Sequence, residues 1–252
     1  MIKMITLDVW GTILPVEPAL KTVVDVIYKS LGGRAPFQTL QALVNEERRK
    51  IKLARREKHE VVPPVYVLLD MQRQLRSRGI NAAFDVYQVQ EAIDQAVGSL
   101  EIAPEGDAVE AIKLAKDEGY KIGIISNVLF WRSRATKRLL ESLGIAQLVD
   151  LQLYADDVGY VKPSVQIFEA ARQILLGDVV PDVYLHIGDD MYEDFLGALM
   201  ASYGAVLVDR HGVYVKKEFV ESIPCRAYIV RSLKTLPLVL HAAESCVKEA
   251  SL

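Results

Sequence analysis

Asp8 closes an apolar run, Met4-Ile5-Thr6-Leu7, and is followed by Val9, Trp10, Gly11 and Thr12. Three more polar clusters stand just past apolar runs: Ser126-Asn127 after Ile122 to Ile125, Lys162-Pro163 after Leu151 to Tyr154 and a short loop, and Gly188-Asp189-Asp190 after Leu185 to Ile187. Glu193 and Asp194 follow in the next turn. In open α/β sheets ligands bind at the carboxyl ends of the strands, so the four clusters are expected to meet in one cleft. Together they hold the parts of a phosphoryl-transfer site, which needs a nucleophile, donors for the phosphoryl oxygens and cations for its charge. Asp8 can attack phosphorus and form an aspartyl phosphate. Ser126 and nearby backbone N–H groups can hold a phosphoryl oxygen, and Lys162 can neutralise it as a point charge. Asp189 and Asp194 add oxygen ligands. Carboxylates crowded beside Asp8 raise one another's pKa, so Mg²⁺ is expected to keep them ionised.

The elements that position these residues are legible from residue 101 onward. Amphipathic helices alternate there with short β-rich runs, as in a parallel sheet covered by helices. Helices are expected over Gly106 to Glu118, Arg132 to Leu143, Ser164 (as N-cap) to about Leu175, Glu193 to Ser202, and after Pro237. Strands are expected at Lys121 to Ile125, Leu151 to Tyr154, Val183 to Ile187, Ala205 to Val208 and Ala227 to Val230. Between about Pro15 and Val97 the periodicity is helical throughout, with no strand run. Its helices are expected at Ala19 to Leu31, Phe37 to about Lys58, Pro64 to Arg78 and Val86 to about Val97, broken by Gly32-Gly33, Pro63-Pro64 and Gly79. The domain expectation is therefore a core of residues 1–14 and 98–252 carrying an all-helical insertion, 15–97. Within the insertion, Arg48, Lys52, Arg55 and Arg56 fall near one helix face, read here as a solvated charged face.

Composition excludes other classes. At 252 residues and 51% hydrophobic the chain can bury a large core, which rules out disorder. Thirty Lys and Arg against 33 Asp and Glu leave a formal charge of −3, so no positive field draws it to nucleic acid or anionic lipid. No apolar run approaches the roughly 20 residues of a membrane span, and the first apolar run reaches Asp8 too early for a cleavable signal. Cys225 and Cys246 are too few for a disulfide scaffold and lack metal-ligand spacing. A soluble protein of the reducing cytoplasm is expected.

The order Asp-x-x-Gly-Thr, Ile-Ser-Asn, Gly-x-x-Lys-Pro-x-x-x-x-Phe and Gly-Asp-Asp-x-x-x-Asp resembles the haloacid dehalogenase-like hydrolases over residues 1 to about 210. Four spaced motifs in the right order are specific where one alone is weak. The resemblance implies a Rossmann-like core with a helical cap at 15–97 that closes over the cleft and selects substrate. It implies Asp8 as nucleophile, Ser126 as the phosphate-binding hydroxyl, Lys162 as the conserved-role lysine and Asp189 with Asp194 as metal-site carboxylates. Thr12 and Asn127 support the phosphate, and the Trp10 backbone carbonyl is a further metal ligand. The implied partner is a small anionic, phosphorylated substrate.

One position departs from the pattern. Phosphatases of this family carry a second Asp where this chain has Trp10, and that Asp protonates the leaving oxygen and later activates water. General acid–base help is worth about 10²–10⁴-fold, so hydrolysis of ordinary phosphomonoesters is expected to be slow by roughly that factor. Three readings stay open: a Mg²⁺-dependent phosphatase or phosphotransferase, a metal-independent 2-haloacid dehalogenase, whose leaving halide needs no proton, and a catalytically weak phosphate- or partner-binding protein. His186 is read as a hydrogen-bonded core histidine, and Trp10, Trp131 and Tyr192 as packing residues.

Overall fold

The computed structural model of the chain describes residues 1–250. Seven strands form one sheet in the order β3-β2-β1-β4-β5-β7-β6. They are β1 (Lys3–Leu7), β2 (Lys121–Ser126), β3 (Leu151–Tyr154), β4 (Val183–Gly188), β5 (Gly204–Val208), β6 (Phe219–Ile223) and β7 (Ala227–Val230). The strands from β3 to β7 run parallel, and β6 pairs antiparallel with β7 at the edge. Val, Ile and Leu dominate the central strands because helices cover both faces and leave no side for polar residues.

The helices are α1 (Glu17–Ser30), α2 (Phe37–Lys58), α3 (Pro64–Ser77), α4 (Val86–Gly98), α5 (Ala108–Asp117), α6 (Ser133–Ser142), α7 (Ala155–Val158), α8 (Val165–Leu176), α9 (Gly197–Met200) and α10 (Leu236–Ala250). Among the described residues no strand of the sheet comes from between Leu7 and Lys121, so the segment read as helical is helical and stays outside the sheet. Leu20, Val23 and Ile27 of α1, Leu40 and Leu43 of α2, Met71 of α3 and Ile93 of α4 are buried in an apolar cluster that continues down to the sheet. α4 also meets the loop after β2: Gln90 Nε2 donates to the Phe130 carbonyl at 3.0 Å, and Asp94 accepts from the Arg132 backbone N–H at 2.9 Å. Among the described residues no helix is long and apolar enough to cross a membrane.

The register positions the cleft. Leu7 lies level with Ile124 of β2 and Ile187 of β4, so the chain leaves β1 at Asp8 within two residues of Ser126 and level with Gly188. From β1 the sheet grows outward to β2 and β3 on one side and to β4 and β5 on the other, which makes the mouth of β1 the switch point where a crevice opens.

Four expectations are corrected. The sheet is mixed rather than wholly parallel, because β6 was not expected; its half-exposed residues give it no apolar run to read. The loop after β3 holds one helical turn, α7, stopped by Gly159 at φ 75°. The single helix expected from Glu193 is a π-helical turn, Met191–Leu196, running into α9. Ser164 sits at the N-cap of α8, yet its hydroxyl donates to Gln166 Oε1 at 2.5 Å and accepts from no backbone N–H of the helix.

Cys225 and Cys246 form a disulfide that joins the β6–β7 turn to α10, their Cα atoms 5.7 Å apart. Disulfides are rare in reducing cytosol outside hyperthermophiles, so the pairing departs from the compartment expected of two isolated cysteines.

Candidate active site

Asp8 emerges from β1 buried, its backbone N–H completing the ladder to the Ile187 carbonyl at 2.9 Å. Its Oδ1 accepts from Lys162 Nζ at 2.7 Å and from Ser126 Oγ at 3.1 Å. Lys162, itself buried, reaches across to Asp194 Oδ1 at 2.6 Å, so one ammonium bridges two carboxylates. Asn127 fixes that lysine from behind: its amide accepts from the Lys162 N–H at 3.0 Å and donates to the Lys162 carbonyl at 3.1 Å. Asp189 stands at the end of β4, where among the described residues its carboxylate accepts one hydrogen bond, from the Thr12 hydroxyl at 3.5 Å. All eight residues singled out in the sequence are thus placed around one cleft, with Thr12 and Asn127 as supports beside it.

Two glycines permit this crowding. Gly11 holds φ 99°, and a Cβ there would collide with the Asp189 carboxylate; a Cβ on Gly188 would collide with the carboxylate of Asp194. Gly188→Ala is therefore expected to push Asp194 off Lys162, costing about 1–3 kcal/mol by overpacking and lowering turnover at least tenfold. A urea midpoint and a kcat measured on the same preparation check both effects.

Electrostatics separates the three acids. Burial pushes Asp8 up to about 6, against the pull of Lys162. Asp189, part-buried at the cleft, is pushed up to about 8 by desolvation and by the neighbouring charges of Asp194 and Asp8. Asp194 is also penalised by burial, but Lys162 and the His186 contact hold its carboxyl well below the usual range. The same two carboxylates keep Lys162 charged against its own burial. His186 is a core histidine, with Nδ1 2.8 Å from Thr6 Oγ1, and its Nε2 lies 3.2 Å from Asp194; burial lowers its pKa to about 4.

Asp8, Asp189 and Asp194 bring carboxylate oxygens within 4.8 Å of one another, and Lys162 contacts two of the three. The Trp10 carbonyl, on the same loop, accepts no hydrogen bond among the described residues. Glu193 Oε1, buried in the same cleft, also lacks a donor. An excess of hard oxygen acceptors with two left unsatisfied fits a small divalent cation with its waters. Asp8, Asp189 and the Trp10 carbonyl have oxygens free for it. Both oxygens of Asp194 are already engaged, by Lys162 and by the Asp190 N–H at 2.9 Å, which suits it to orient from behind.

Sequence reasoning missed the opposite wall. The basic row of α2 is not solvated: Lys52 pairs with Asp190 at 2.7 Å, Arg56 with Asp190 at 3.1 Å, and buried Arg55 with Glu193 at 3.3 Å. Arg55 also donates to the Val128 carbonyl, and Asn127 donates to Glu193 at 2.7 Å. The π-helical turn carries both partners, its Asp190 accepting from the N–H groups of Tyr192 and Glu193. Lysines and arginines at i, i+4 and i+7, matched to an acidic turn far along the chain, were the available signal. Periodicity says which residues share a face and nothing of what covers it.

Trp10 is buried with its ring edge-on to Trp131, centroids 4.8 Å apart, and both indole N–H groups donate to Thr136 Oγ1 at 3.2 Å. The cleft bounded by Asp8, Trp10, Asp189, Arg48 and Lys52 encloses about 40 Å³.

A family model for haloacid dehalogenase-like hydrolases matches residues 2–201. A glyceraldehyde 3-phosphate phosphatase of Methanothermobacter thermautotrophicus is 29% identical over 125 residues, 50% of this chain and 53% of that one. The chain spans about half the length of the curated relatives it matches. Among solved structures, the HAD-hydrolase YfnB of Bacillus subtilis, bound to magnesium, superposes with a TM-score of 0.74 at 16% identity, over 95% of this chain and 99% of that one. The L-2-haloacid dehalogenase of Xanthobacter autotrophicus gives 0.65 at 16% identity, over 96% and 99%. These likenesses at low identity carry the fold. The family match, which runs from the first strand through the π-helical turn that holds Asp194, carries more: the chain belongs to the haloacid dehalogenase-like hydrolases.

Proposed function

We propose that this hydrolase is a Mg²⁺-dependent phosphatase of small phosphorylated substrates, acting through an aspartyl phosphate on Asp8. The observation that carries the reading is the gathering of Asp8, Asp189 and Asp194 carboxylate oxygens within 4.8 Å while Lys162 pairs with Asp8 and Asp194 alone, which leaves Asp189 without an ion-pair partner among the described residues and facing the place a divalent cation would take. Bound there, Mg²⁺ would offset the charge that gathers on the phosphoryl oxygens. A haloacid is itself an anion, and without a metal the same acids would repel it. The phosphatase named among the relatives supports a phosphorylated substrate.

In this reading Ser126 and Lys162 hold the phosphoryl group against Asp8, and Asp8 attacks phosphorus as the ester oxygen leaves. Asp194 and Asn127 keep the Lys162 ammonium aimed. Helices α1–α4 form the cap, and the present arrangement is closed: 40 Å³ holds a cation and a few waters but no ester, since ligand pockets run to about 300 Å³ or more. Substrate enters when α2 lifts from the Met191–Leu196 turn, with hinges near Leu14 to Pro18 and Gly98 to Pro104.

Trp10 leaves the departing oxygen without an acid, because its indole N–H is committed to Thr136. Trp10→Asp is expected to raise hydrolysis of an alkyl phosphate by up to about 10²-fold and of an aryl phosphate much less, since the aryl leaving group needs little protonation. Loss of the aromatic pair should cost about 3–5 kcal/mol of stability, read from thermal unfolding. Equal responses of the two esters would sink the missing-acid account.

The deciding experiment is a screen with and without Mg²⁺ against phosphate esters, acyl phosphates and 2-haloacids. Metal-dependent phosphate release is the expected result. Halide release without added metal would favour the dehalogenase reading, which the aromatic residue at position 10 supports. Silence on all three classes would favour a binding protein.

A further inference from the structure

Along α2, Lys52, Arg55 and Arg56 each have a carboxylate partner on the π-helical turn; Arg48, one helical turn earlier, has none among the described residues. Arg48 is nevertheless part-buried and lines the cleft together with Asp8 and Asp189. It also lines a second cavity of about 340 Å³ between α1 and α2, whose walls carry Leu20, Val24, Phe37 and Val44 together with the charged Glu17 and Lys21. Its guanidinium therefore stands at the junction of the two spaces. One turn of helix carries it about 6 Å along α2 from Lys52, away from the end where the basic row is latched. Ser126 and Lys162 hold the Asp8 carboxylate from the core side, and Arg48 lines the cleft from α2 on the other side.

We propose that Arg48 is a specificity-determining residue that binds a second anionic group on the leaving portion of the substrate. This rests on the phosphatase reading above and narrows it to small phosphomonoesters that carry a further carboxylate or phosphate. An arginine left without a counter-ion beside a reaction cleft is matched by a planar or tetrahedral oxyanion, which its fork of donors binds in two-pronged fashion. The 340 Å³ space beyond gives such a leaving group room once the cap has opened.

The test uses a matched pair of substrates with Mg²⁺: phosphoglycolate, which bears a carboxylate, and ethylene glycol monophosphate, which carries a hydroxyl in its place. Ethylene glycol bisphosphate is a third arm that separates a carboxylate preference from a phosphate preference. Wild type is expected to favour at least one anionic substrate over the neutral one by about 10- to 100-fold in kcat/KM, the range of one charge-assisted contact. In Arg48→Gln the ratio should collapse toward one through KM, and Arg48→Lys should retain part of it. No preference in wild type, or an equal loss on all three substrates in Arg48→Gln, overturns the proposal and would place Arg48 on the transferred phosphoryl group instead. That outcome leaves the phosphatase reading standing. Hydrolysis of none of the three, nor of any ester in the wider screen, overturns both.

Discussion

Asp8→Asn is expected to remove turnover, by about 10⁴-fold or more, because an amide cannot open a covalent route through phosphorus. The substitution is nearly isosteric, so Lys162 keeps its 2.6 Å bond to Asp194 and the cleft keeps its shape. Its effect on stability should run the other way. Burial lifts the Asp8 pKa from 3.8 to about 6, so the stabilising contribution of the protonated group is complete below pH 3.8 and is lost as the pH rises through about 6. At pH 7.5 in EDTA the wild type therefore bears an ionised Asp8 that works against folding. The Asn variant, inactive, should unfold at an equal or higher temperature. Steady-state kinetics beside a thermal scan reads both; residual activity within tenfold of wild type would remove Asp8 from the reaction.

Lys162→Met should be the most damaging single change to the fold near the site. Lys162 is buried, and its ammonium is the cation that both Asp8 and Asp194 contact directly. Breaking a buried pair by deleting one partner leaves uncompensated charge and costs about 3–5 kcal/mol. For a chain of this size that is roughly 6–20 °C in Tm, measured by calorimetry. Activity should vanish as well. Adding Asp194→Asn to the variant should restore part of the stability, since the second change removes one orphaned charge, and should restore no activity. A loss below about 1 kcal/mol would show that water reaches the cluster.

The central sheet and the core side of the cleft were legible because both depend on short-range patterns. Apolar runs such as Lys121–Ser126 mark strands buried on two faces, and a polar residue at the end of each run marks the cleft. Lys162 stands beyond β3 and α7, and it was readable through its Pro163 neighbour and the motif of the family resemblance. The edge strand β6 was not, since Glu221 and Ser222 interrupt its apolar residues and its exposure leaves no run to read. The roles of Arg55 and Glu193 were hidden for another reason: their pairing spans 138 residues and depends on how α2 docks against the π-helical turn. The partners of Trp10 were likewise unreadable, because Thr136 lies 126 residues away. Local sequence fixes which face a side chain takes; tertiary docking decides what it meets.

The Cys225–Cys246 link lies beyond residue 201, where the family match stops, and it closes a loop over a sequence separation of 21 that includes β7 and most of α10. Local elements of a fold ordinarily open separately, each at its own free-energy cost. Here α10, which packs on β4 and α5, cannot peel away without carrying the β6–β7 turn along, so β7 and the helix open as one unit or not at all. On a chain-entropy view a loop of this length favours the folded state by about 3 kcal/mol. Reduction would uncouple the two, and amide exchange in β7 and in α10 would then accelerate to different extents while the strands around Asp8 kept their protection.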